Sequence, residues 1–90
     1  GTGSTITNNL GGIIRQAGTG GMYTISASDT LTLVNAGTIS NASTALFTAA
    51  VDATQTLTLT NSGTITAAGG AAVQLNGGDN VIANSGTITG

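Results

Sequence analysis

Acid–base chemistry in this 90-residue chain has few places to reside. The charged side chains are Arg15, Asp29, Asp52 and Asp79, and there is no His or Cys. Catalysis needs convergent groups of tuned protonation, and three carboxylates are the whole supply of acid or base. Asp29 and Asp79 each lie four residues after an inward apolar residue, Ile25 and Leu75, of a recurring strand, with Gln55 at the intervening position. Two strand steps of ~4.8 Å would separate them by roughly 10 Å, near the spacing of an inverting glycosidase pair. No apolar pocket or aromatic sugar platform accompanies them, so no catalytic residue is assigned and a non-enzymatic role is expected.

Asn76-Gly77-Gly78-Asp79-Asn80 is shaped like a calcium-binding Gly/Asp turn, which makes Asp79 a calcium candidate. The equivalent turns, Ser26 to Thr30 and Asp52 to Thr56, do not repeat the motif, and six to eight oxygen ligands are hard to gather from this set. A turn-capping Asp is the expectation, with no metal and no cofactor. Gly18-Thr19-Gly20-Gly21 is Gly-rich but precedes no helix that would bind phosphate, so it is a loop. Asn41-Ala42-Ser43 matches the short glycosylation pattern, which arises often by chance.

A binding face is the other kind of chemistry on offer. Thr38 and Ser40, Thr64 and Thr66, and Thr87 and Thr89 each flank an Ile, so an inward Ile leaves them outward in two columns. A regular array of hydroxyls and methyls resembles the water-ordering faces of ice-binding β-solenoids. Thr is also simply a favourable outward strand residue.

These columns exist only if the chain coils. NSGTIT stands at 61–66 and again at 84–89, and NAGTIS stands at 35–40. Aligned on Asn9, Asn35, Asn61 and Asn84, the spacings are 26, 26 and 23 residues, a period expected for one solenoid turn per repeat. With 15 Gly, abundant Thr and no apolar spacing at three and four, helical repeats are disfavoured. The expected fold is all-β, a single-stranded parallel β-helix of about three and a half coils with three short strands in each. Residues 1–90 form one solenoid segment, with coil units near 1–26, 27–52, 53–76 and 77–90.

Period-two alternation places the strands. The first is Leu31 to Leu33 and Leu57 to Leu59, matched by Val81 to Ala83 with Val81 and Ala83 inward, and by Ile6 opposite Leu33. The second gives an inward core row of Ile13, Ile39, Ile65 and Ile88. The third puts Ile25, Val51 and Leu75 on one level, with Tyr23, Ala49 and Val73 beside them. The shortened last repeat loses two residues after Ile65 and one before Asn84. Asn35, Asn61 and Asn84 form a structural corner, where Asn tolerates a left-handed backbone and its amide can bond its counterpart one coil away. The Gly two positions later permits positive φ or close approach.

Composition narrows the partners. Charged residues are 4% of the chain against roughly 25% in ordinary domains, while hydrophobic residues are 39%. One Arg cannot track a phosphate backbone, so nucleic acid is excluded, and attachment to anionic lipid is equally unsupported. No apolar run reaches the ~20 residues of a membrane helix. The opening Gly1-Thr2-Gly3 reads as a processed product or an excised segment. Solenoid ends are open strand edges, so self-association through them, or continuation into further coils, is expected.

The unit GGAAVQLNGGDNVIANSGTITG, 69–90, resembles the short repeats of bacterial autotransporter (type V secretion) passengers and related surface adhesins. The resemblance covers three coils. It implies a right-handed parallel β-helix, exported and displayed extracellularly at the bacterial cell surface, and it carries no catalytic motif. The expected function is therefore a structural repeat segment of a surface adhesin or fibre. The alternative is an ice- or carbohydrate-binding solenoid using outward Thr and Asn rows.

Overall fold

A computed structural model describes residues 3–18, 22–45 and 47–90. Three of the four positions of the 18–21 loop lie outside that description, as do the first two residues of the chain. The first coil holds β1 (Ser4–Asn8), β2 (Ile13–Gln16) and β3 (Ile25–Ala27). The second holds β4 (Leu31–Asn35), β5 (Thr38–Asn41) and β6 (Ala49–Ala53), and the third holds β7 (Leu57–Asn61), β8 (Thr64–Ala67) and β9 (Ala71–Leu75). A partial fourth coil adds β10 (Val81–Asn84) and β11 (Thr87–Thr89).

Every pairing is parallel and joins equivalent strands of successive coils, giving sheets β1-β4-β7-β10, β2-β5-β8-β11 and β3-β6-β9. No helix occurs among the described residues. The fold is an all-β solenoid. Stacking satisfies the main-chain groups that a lone three-to-five-residue strand would leave open, which is why such short strands persist.

The core runs up the axis. Leu31, Leu33, Ile39, Val51, Leu57, Leu59 and Ile65 are fully buried, each contributing about 1.5–3 kcal/mol of burial free energy. Ile6, Ile14 and Ile88 are half-buried because a neighbouring coil covers them on one side only.

The end coils depart from the sequence expectation. Ile14, not Ile13, pairs with Ile39, while Ile13 pairs with Thr38 and is 68% exposed. The cause is the corner before it. Asn8, not Asn9, is in register with Asn35, so six positions separate Asn8 from Ile14 where four separate Asn35 from Ile39. The extra residues form a tight turn, closed by the Gly12 amide donating to the Asn9 carbonyl at 2.8 Å, with Gly11 at φ +83°.

In the third sheet, Val73 rather than Leu75 shares a level with Ile25 and Val51, and Leu75 pairs with Ala53. The turn after Ile65 is therefore four residues shorter than its predecessor: eight positions separate Ile65 from Val73, against twelve from Ile39 to Val51. One residue is regained before β10. Consequently Ile82 pairs with Leu59, and Val81 and Ala83 pair with Thr58 and Thr60. The Leu57 amide, whose counterpart Leu31 donates to the Thr56 carbonyl, is met instead by the Asn80 side-chain oxygen at 2.7 Å.

Candidate functional site

The Asn corner is a continuous amide ladder. Asn8, Asn35 and Asn61 are buried on one level of the first sheet, above one another, with Asn84 at the end. Each Nδ2 donates to the next Oδ1: Asn8 to Asn35 at 2.8 Å, Asn35 to Asn61 at 2.8 Å and Asn61 to Asn84 at 2.9 Å. The same nitrogens lie 3.2 Å from the carbonyls of Thr38, Thr64 and Thr87 respectively. Buried amides partnered this fully are structural.

The corner is not left-handed. Among the described residues the positive-φ positions are Gly3, Gly11 and Phe47, so Asn35, Asn61 and Asn84 do not need that conformation. The Gly column is a close-approach device instead. A Cβ on Gly63 would collide with the Gly37 carbonyl oxygen, and one on Gly86 with that of Gly63. Those carbonyls accept the Thr64 and Thr87 amides at 2.9 Å, so they cannot move aside without breaking the ladder.

The outward Thr rows stand in register on the second sheet. Thr38, Thr64 and Thr87 form one column, and Ser40, Thr66 and Thr89 the other. Their first-coil partners are Ile13 and Arg15, so that end of the face is apolar and cationic. A second array, which the sequence reading did not single out, occupies the first sheet. There Thr5, Thr32, Thr58 and Val81 align beside Thr7, Val34, Thr60 and Ala83, with no charge in either column. The same alternation that marks Leu31 and Leu33 as inward would have located it.

The carboxylates do not converge. The Asp29 Oδ1 accepts the Thr30 amide at 2.8 Å. Gly77, not Asp79, abuts the Gln55 backbone, because the shortened turn after Ile65 sets β9 two positions away from the expected register and carries Asp79 past that column. Asp79 is exposed. No group of three or more His, Cys, Asp or Glu residues suited to a metal forms among the described residues. Asp52 is 6% exposed and accepts a hydrogen bond from Asn76 Nδ2 at 3.0 Å.

Asn41, within the glycosylation pattern, is buried, and its Nδ2 donates to the Ala49 carbonyl at 2.8 Å and to that of Met22 at 2.6 Å. A nitrogen so engaged is closed to a glycan in the folded chain.

The chain's single Tyr, Phe and Met meet at one place. Met22, Tyr23, Phe47 and Thr48 line an open, mainly apolar notch of about 190 Å³. Phe47 is 90% exposed at φ +62°, a backbone region costly for a bulky residue. Tyr23 and Phe47 lie 24 positions apart, close to one coil, which is the signal that would have paired them.

No known protein family, curated protein or solved structure matches the chain. Its functional reading therefore rests on the ladder, the Thr faces and the surface chemistry described above.

Proposed function

We propose that the chain is a structural, non-enzymatic segment of an extracellular bacterial surface adhesin or fibre. The observation that carries this reading is the unbroken Asn ladder. A corner whose buried hydrogen bonds run from coil to coil makes length a matter of adding units, the property a stalk requires. A chain with only four charged side chains, one of them the buried Asp52, adds little repulsion between neighbouring rods. Partners of the same kind, through the open solenoid ends or as further coils, fit the exposed edge at Val81 and Ile82.

Sedimentation velocity over a wide concentration range tests the fibre version. Growth of larger species with concentration supports it, and a strictly monomeric profile at high concentration removes it.

The in-register columns Thr38-Thr64-Thr87 and Ser40-Thr66-Thr89 favour a second reading, a face that binds ice or carbohydrate. Thermal hysteresis that disappears on Thr64→Tyr would select ice binding. Absence of hysteresis in the native chain would dismiss it.

A further inference from the structure

We propose that Asn76 is a spontaneous modification site, converting through a cyclic imide to aspartate or isoaspartate and thereby unfastening the turn between β9 and β10. The inference lies outside the stalk reading and holds or fails on this chain alone.

Of the Asn residues in the chain, Asn76 alone precedes a Gly. Imide formation needs the following main-chain nitrogen to reach the side-chain Cγ, and a bare following Cα removes the steric barrier. That nitrogen must also be unengaged. Among the described residues the Gly77 amide donates to nothing. Asn76 itself is exposed. The other Asn residues differ on these points. Asn35, Asn41 and Asn61 are buried, and they precede Ala36, Ala42 and Ser62, whose amides donate to the carbonyls of Asn8, Gln16 and Asn35.

The step balances without a redox partner. The Gly77 nitrogen loses its proton to solvent and attacks Asn76 Cγ. The new C–N bond closes the imide, the Cγ–Nδ2 bond breaks and ammonia leaves. Water then opens either imide carbonyl, giving aspartate or isoaspartate. Overall a water is consumed and an ammonia released.

The consequence follows from what Nδ2 does beforehand. It donates to Asp52 Oδ1 at 3.0 Å, and Asp52 is a carboxylate 6% exposed between its register partners Ser26 and Gln74. Conversion replaces that donor with a second carboxylate, turning a hydrogen bond into like-charge contact in a partly buried place. Isoaspartate also lengthens the main chain where Gly77 lies flush against the Gln55 backbone. The turn leads into β10 and β11, the coil with the least cover, so that coil loosens first.

The test ages the purified 90-residue chain in mildly alkaline buffer and follows intact mass, with fragmentation to locate the change. Asn76→Gln and freshly made Asn76→Asp serve as comparisons. The mass gain of an amide-to-acid exchange is expected at residue 76, and absent from Asn76→Gln over the period in which the native chain half converts. Aged protein and Asn76→Asp are expected to share a lowered thermal midpoint and faster amide exchange in residues 76–90. Conversion appearing first at another Asn, or none while a free peptide of residues 72–80 half converts, would overturn the site. An Asn76→Asp variant as stable as the native chain would overturn the consequence.

Discussion

Asn35 and Asn61 stand in register on β4 and β7, both fully buried, and Asn35 Nδ2 donates to Asn61 Oδ1 at 2.8 Å. Each residue is thus an acceptor for the coil before and a donor to the coil after. Removing one breaks contacts on both sides.

Asn61→Ala removes the Asn35–Asn61 and Asn61–Asn84 hydrogen bonds, leaving Asn35 Nδ2 with only the Gly37 and Thr64 carbonyls at 3.2 Å and Asn84 Oδ1 with only the Gly86 amide, in a site closed to water on the Asn35 side. Stability should fall by about 2–4 kcal/mol, the cost of the lost ladder hydrogen bonds together with the cavity left by a fully buried side chain. Asn84→Ala, at the exposed end, should cost about 1 kcal/mol or less. Urea denaturation of the two variants side by side checks the ratio.

Glycines differ by what stands over them. Gly63→Ala drives a Cβ into the Gly37 carbonyl and the Ala36 backbone, so a loss of about 3 kcal/mol or more is expected. Gly78→Ala meets no heavy atom within 4 Å and should be neutral or gain up to about 1 kcal/mol through the unfolded state. Thermal unfolding monitored by circular dichroism separates the two.

The register of the first coil is open to the same kind of measurement. Ile14→Ala should cost about 1–2 kcal/mol, because Ile14 packs on the core one coil below Ile39. Ile13→Thr, at an exposed position in line with Thr38, should change stability by less than about 0.5 kcal/mol. Equal effects from both would contradict the alignment on Asn8.

Phe47 holds a positive φ while burying almost none of its ring. Phe47→Asn substitutes a residue that visits this conformation readily and should raise stability by about 0.5–1 kcal/mol. A drop in the denaturation midpoint would instead mean that the ring packs in the notch with Met22 and Tyr23.

In the middle coils the first two strands were legible in the sequence because Ile39, Ile65 and Ile88 sit in near-identical hexapeptides, where register has one solution, whereas the shortened turn after Ile65 hid the pairing of Val51 with Val73. The first coil offers two adjacent Asn and two adjacent Ile, so residue type cannot say which of each pair faces in. Only the ladder, by pairing Asn8 with Asn35, decides it. In Val81-Ile82-Ala83 every residue is apolar and alternation carries no phase, so the inward place of Ile82 follows from its pairing with Leu59. The Asn column itself could be read, but its backbone conformation could not. The glycine beside it serves contact between coils, and that contact is absent from any single repeat.

The hydrogen-bonded corner also bears on how such a chain changes length over generations. Residues 36–61 begin after one ladder Asn and end on the next, so excising them joins Asn35 directly to Ser62-Gly63-Thr64, the same corner with the same partners. Removing or duplicating such a 26-residue unit would subtract or add a whole turn while leaving the inward rows in register. A rod built this way can vary in reach between lineages without passing through a misfolded ancestor.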